Sequence, residues 1–147
     1  MHPVHALLVE SFAYMDGRID PPSSLARMTT AVLAEEAARN ELWILPPETA
    51  PAACMLLTVE PGYLYLGKLA VSPVHRGEGL ARRMIDHALL RAGQLGLPEL
   101  RLQTRVELVE NHATFLNLGF SEVGRTAHPG FDQPTSLTFA RHIPAPG

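Results

Sequence analysis

The stretch from Tyr63 to Leu90, YLYLGKLAVSPVHRGEGLARRMIDHALL, leaves this chain few folding options. Tyr63 to Val71 is almost uninterrupted apolar sequence, the pattern of a strand covered on both faces. Pro73 stops that strand, because proline has no N–H to give a sheet ladder. Arg76-Gly77-Glu78-Gly79 then supplies flexible backbone for a reversal. From Leu80 the apolar residues recur at helical spacing, with Leu80, Met84 and Ala88 in one row and Ala81, Ile85 and Leu89 beside it. The spacing predicts a buried strand, a glycine turn and a long amphipathic helix.

A glycine turn that opens a helix has a chemical use. Unsatisfied N–H groups and the positive end of the helix dipole both point out of the turn, which makes a seat for phosphate. The charges agree. Five basic residues (Lys68, Arg76, Arg82, Arg83, Arg91) stand against two acids (Glu78, Asp86), in a chain of formal net charge −3. Spacing excludes two common phosphate fingerprints. The dinucleotide pattern G-x-G-x-x-G would need glycine where Arg82 stands, and the Walker pattern is absent. What is present is R-x-x-G-x-A, as Arg76-Gly77-Glu78-Gly79-Leu80-Ala81, after a strand ending Leu69-Ala70-Val71. This loop, so placed, resembles the acyl-coenzyme A pyrophosphate loop of the GNAT superfamily of N-acetyltransferases.

The rest of the chain bounds the reading. At 147 residues it is expected to be one domain, 1–147, with a substantial core. Its 46% apolar and 18% charged residues are those of an ordinary globular protein. The acidic balance argues against nucleic acid as a partner. Cys54, the one cysteine, sits in an apolar run and reads as a buried structural thiol. No apolar run has the length of a membrane span and no secretory leader is visible, so no membrane partner and a cytoplasmic location are expected. His2 and His5 have H-x-x-H spacing close to Met1, but no metal is expected there.

In chain order, Val4, Leu7, Leu8, Ser11, Phe12 and Met15 share one helical face, and Gly17 ends that helix. Arg18 to Ser24 is a loop, with a helical turn expected at Leu25 to Met28. Thr29 or Thr30 caps a helix that runs to Arg39 and stops at Asn40. Leu42 to Leu45 and Ala53 to Val59 are strands, and Glu60-Pro61-Gly62 turns the second into the Tyr63 strand. After the central helix, stopped by Gly96 and Pro98, come a strand at Leu100 to Thr104 and a helix at Val109 to Leu118. Phe120 to Gly124 and Ser136 to Ala140 form a last pair of strands, joined by a long loop from Arg125 to Pro134. The implied class is α/β, with a mixed, mostly antiparallel sheet flanked by helices.

This order is similar to the GNAT fold over nearly the whole chain. A second landmark is Phe115 to Phe120, FLNLGF, which resembles the Y-x-x-x-G-F ending of the superfamily's fourth helix. Three departures stand out. A helix begins close to Met1, so either the usual first strand is missing or the sequence starts after it; Phe115 replaces a tyrosine; and Leu108 replaces an asparagine, with Asn111 one turn later.

The resemblance implies acetyl-CoA as co-substrate, with its pantetheine arm lying as an extra strand where two strands splay. Leu69, Ala70 and Val71 would meet that arm through their main chains. Arg76, Gly77, Glu78, Gly79, Leu80, Ala81 and Arg82 would hold the phosphates, and Asn111 and Phe115 complete the set. The implied reaction moves an acetyl group directly to a primary amine of a small molecule or peptide. Such an amine, with a pKa of about 10.4, must lose a proton before it attacks. The candidate catalytic residues are His128, Glu60 acting through water, and Tyr65, with His128 preferred for its suitable pKa. Tyr14, Asp16 and Arg18 fall where the superfamily walls its acceptor pocket, and would suit a polar amine or an amino acid. Edge strands of this fold often pair between subunits, which makes a homodimer compatible. Two other readings fit: a non-catalytic acyl-CoA-binding or regulatory module, and a nucleotide or phosphate-metabolite binder of another α/β fold.

Overall fold

The computed structural model describes residues 1–13, 18–21, 28–47 and 49–143. Its elements are α1 (His2–Ser11), α2 (Thr30–Arg39), β1 (Glu41–Leu45), β2 (Ala53–Glu60), β3 (Tyr63–Val71), α3 (Leu80–Gln94), β4 (Glu99–Arg105), α4 (Val109–Asn117), β5 (Ser121–Thr126) and β6 (Ser136–His142). One six-stranded sheet has the order β1-β2-β3-β4-β6-β5. All of its pairings are antiparallel except that of β3 with β4. A parallel pair cannot be closed by a tight turn, so α3 serves as the crossover. Among the described residues no strand precedes α1, and β1 forms one edge of the sheet. No helix among them is long and apolar enough to cross a membrane.

Local chemistry sets the helix ends. Thr29 caps α2 by accepting from the Val32 N–H at 3.1 Å. Asn40 stops it with extended backbone while its side chain donates to the Glu36 carbonyl at 2.9 Å. The predicted central helix is α3, which presents Met84, Ile85, Ala88 and Ala92 to Leu64, Leu66, Leu100 and Leu102 on one face of the sheet. On the other face, Val4, Leu7 and Leu8 of α1 with Leu33 of α2 cover Cys54 and Ala70. His5 donates to the Met28 carbonyl at 2.8 Å and so ties α1 to the start of α2.

Several predicted bounds shift. The first helix ends at Ser11, short of Met15, and β5 runs on through Arg125 and Thr126, which were expected in a loop. Pairing with Leu137 and Ser136 of β6 keeps those two residues extended. The turn expected at Leu25 to Met28 falls, apart from Met28, outside the described residues.

β3 is less regular than its sequence. Ala70 pairs with Cys54, but the next register pair is Gly67 with Leu56, so Lys68 and Leu69 together oppose Met55. That β-bulge puts Lys68 at φ +52°, in the left-handed region. It also flips the alternation of the strand. Leu64 and Leu66 face α3, whereas Ala70 faces α1 and α2, and Leu69 and Val71 take over the α3 side.

Candidate functional site

β3 and β4 pair only at their starts, Leu64 with Leu100 and Tyr65 with Arg101. Beyond Tyr65 the two strands part, because β3 stays with β2 up to Val71 while β4 stays with β6 up to Arg105. The edge of β3 from Leu66 to Val71 is therefore open to a ligand that can act as a strand. A cavity of about 420 Å³ lies along it, lined by Ser11 and Phe12 of the α1 end, Leu69 to Val71, Arg76, and Glu110 and Asn111 of α4.

The glycine loop adjoins that cavity through Arg76. Gly77 and Gly79 have φ of +83° and +77°, and no heavy atom lies within 4 Å of a Cβ built at either. Gly79 is the N-cap of α3 and no side chain caps it. The first intrahelical bond is from Arg83 N–H to the Gly79 carbonyl, 3.1 Å. The N–H groups of Leu80, Ala81 and Arg82 precede it and have no acceptor within the helix. They form an open donor cluster at a positive helix end.

The family model for "Acetyltransferase (GNAT) family" matches residues 3–120. This chain belongs to the GNAT acetyltransferase family. Solved structures agree on the fold. A GNAT acetyltransferase from Staphylococcus aureus superposes with a TM-score of 0.72 at 12% identity, covering 97% of this chain and 92% of that one. The ribosomal-protein-S18-alanine N-acetyltransferase of Escherichia coli gives 0.66 at 22% identity, covering 97% and 88%. A GNAT acetyltransferase of Elizabethkingia anophelis, solved with acetyl-CoA bound, gives 0.63 at 11% identity, covering 78% and 84%. No curated protein matches the sequence.

Within this GNAT site the charge cluster read from the sequence is dispersed. Lys68 pairs with Glu36 at 2.9 Å and Arg91 with Glu41 at 2.8 Å, both away from the loop. Arg76 donates to the Ser11 carbonyl at 3.1 Å. Glu78, the acid of the loop, engages His75 Nδ1 at 2.8 Å. Arg82 and Arg83 lie exposed on the first turn of α3. The start of α3 thus keeps its helix geometry and two exposed arginines, rather than a five-residue basic cluster.

The other predicted site residues separate into groups. Asn111 and the main chain from Leu69 to Val71 meet at the cavity. The Val71 carbonyl accepts from the buried Ser11 hydroxyl at 2.9 Å, so α1 holds the end of β3 in place. Tyr65 sits where β3 and β4 part, and burial, with Tyr63 nearby, pushes its phenol up. Glu60 lies at the hairpin end of β3; the strand from Tyr63 to Leu69, about 20 Å long, separates it from the cavity. His128 is held in the β5–β6 loop, its N–H donating to Thr135 Oγ1 at 2.9 Å and its Nδ1 in contact with the same oxygen, and it is not among the cavity's lining residues. The Phe115 ring packs against Phe120 and Phe139, with centroids 6.1 and 6.0 Å away. Tyr14 and Asp16 fall outside the described residues, whereas Arg18 pairs with Glu110, which lines the cavity.

Three cavity residues, Ser11, Phe12 and Glu110, escaped the sequence reading, Phe12 being placed only in the apolar face of the first helix. Ser11 carried a signal, a hydroxyl in the apolar row of α1. Glu110 carried none, being one acid in a polar helix start, and only the approach of residues 18–21 gives it a partner.

Proposed function

We propose that this GNAT chain is an N-acetyltransferase that moves an acetyl group from acetyl-CoA directly to a primary amine of a small molecule or peptide. The observation that carries the reading is the parting of β3 from β4 beside the uncapped start of α3. An open strand edge suits the amides of a pantetheine arm, and a helix start suits a diphosphate. The Elizabethkingia anophelis relative with acetyl-CoA bound and the Escherichia coli ribosomal-protein-S18-alanine N-acetyltransferase lend it support.

The residues present fit that co-substrate. The left-handed glycines keep the backbone of residues 77–79 bare, so a phosphate can approach the N–H groups of Leu80 to Arg82. Leu69, Ala70 and Val71 would hold the arm, with Asn111 across the cavity. Acetyl-CoA supplies an acyl group already activated as a thioester. The chain's part is to hold the amine and the acyl carbon together, to offer a main-chain N–H of Ala70 or Val71 to the acyl oxygen, and to move protons. Tyr65, a phenol that burial pushes further up, stays protonated at neutral pH and is suited to donating a proton rather than taking one. His128 remains the proposed base; Glu60, a strand length of about 20 Å from the cavity, is too far to act through one water.

A second reading, acyl-CoA binding without catalysis, is favoured by Phe115, which offers no hydroxyl to a leaving sulfur. Two measurements decide. Calorimetry with CoA and acetyl-CoA should show micromolar binding, and no heat with either rejects both readings. Thiol release across a broad amine panel should show turnover; tight binding without turnover on any amine leaves the module.

A further inference from the structure

We propose that the acceptor carries a carboxylate close to its amine, and that Arg18 and Glu110 recognise the two groups together. This deepens the acyl-CoA reading and rests on it, since the same cavity is used. Arg18 meets Glu110 through two parallel bonds, Nη1 to Oε1 at 2.7 Å and Nη2 to Oε2 at 3.1 Å. That is the forked geometry by which a guanidinium holds a carboxylate. Glu110 lines the cavity together with the main chain of Leu69 to Val71. A guanidinium therefore already holds a carboxylate that lines the cavity.

Arg18 is held at that lining carboxylate. Next to it, the buried Ile19 packs with Leu108 and Phe12. The Asp20 N–H donates to Glu107 Oε2 at 3.0 Å. Residues 19 and 20 are thus fastened to the segment between β4 and α4 by apolar and polar contacts, which fixes the backbone next to Arg18. The pair itself is exchangeable, because its side chains are 42% and 50% exposed and such pairs contribute little. A zwitterionic acceptor can replace this one pair by two, its ammonium on Glu110 and its carboxylate on Arg18. A simple amine competes with Arg18 for Glu110 and returns no anion. The cation that lines the cavity itself is Arg76, which donates to the Ser11 carbonyl.

The test uses two conjugates in which CoA is joined through a thioacetyl linker to the α-amine of alanine or of alaninamide. Calorimetry on the full chain measures each, with CoA alone beside them. The carboxylate conjugate should bind about tenfold tighter than the carboxamide. Arg18→Gln should bring the two within about twofold. Glu110→Gln should tighten the carboxylate conjugate, since it removes the competing anion, whereas loss of a merely structural pair would weaken both conjugates alike. Equal affinity of the conjugates in the unaltered protein, with CoA itself bound, overturns the acceptor assignment alone. A preference undiminished in Arg18→Gln also overturns it, by placing the carboxylate on Arg76. Failure of CoA itself to bind overturns the acyl-CoA reading, and this proposal with it.

Discussion

Replacing Lys68 with glycine should destabilise the protein less than replacing it with alanine, the reverse of the order in a regular strand. Lys68 has φ +52° at the bulge of β3. Any side chain there pays about 1–2 kcal/mol for the left-handed backbone. Its ammonium stands 2.9 Å from Glu36 Oε2, with the side chains 20% and 27% exposed, and a pair so placed contributes about 1 kcal/mol. Lys68→Ala keeps the backbone cost and loses the pair, a net loss of about 1 kcal/mol. Lys68→Gly loses the same pair but sheds the backbone cost, less about 0.5–1 kcal/mol for the freedom glycine gains when unfolded. Glycine should therefore be the more stable of the two by about 0.5–1 kcal/mol. Urea unfolding resolves this as a midpoint difference of a few tenths molar at a slope of about 2 kcal/mol/M. Glu36→Gln, which removes only the pair, should match the alanine loss. An alanine variant more stable than the glycine variant would refute the bulge, and with it the flip that turns Leu69 and Val71 toward the α3 side.

Three further outcomes follow. Gly79→Val should weaken CoA binding by more than about tenfold, because φ +77° is hostile to a β-branched residue although the space around its Cβ is open; calorimetry showing unchanged affinity would remove the loop from the site. The Arg91 hydrogen bonds hold the Glu41 carboxyl below its usual range. The stabilisation from Glu41 is therefore full above the unfolded carboxyl's pKa and is lost as pH falls through the lower folded value. Glu41→Gln should accordingly flatten the fall in Tm between neutral and about pH 3, and an unaltered slope would count against it. Burial pushes the Cys54 thiol up to about 12, so a thiol reagent at mildly alkaline pH should label the chain in urea and leave the folded protein untouched; labelling of the folded form would contradict the packing under α1.

How far each feature could be read depends on the range of the forces behind it. Thr29 as the cap of α2, Gly79 at the start of α3 and the strand from Tyr63 to Val71 are local choices of the backbone, and each stands where its residues place it. The charge cluster failed as a reading because Lys68 and Arg91 find acids on α2 and β1, distant in sequence. β5 was read too short because Arg125 and Thr126 are extended by their pairing with β6 and by no preference of their own. Glu110 stayed unseen because its meaning comes from Arg18, 92 positions away.

The amino-acid order alone settles a strand, a left-handed glycine turn and a helix with bare N–H groups, because φ preferences and a period of 3.6 act within a few residues. The tertiary structure decided where β3 leaves β4, which way Leu69 to Val71 face after the bulge, and which charges meet at the cavity. Those outcomes are competitions between partners brought together only by folding: β2 holds one strand, β6 holds the other, and the gap between them belongs to neither segment of sequence.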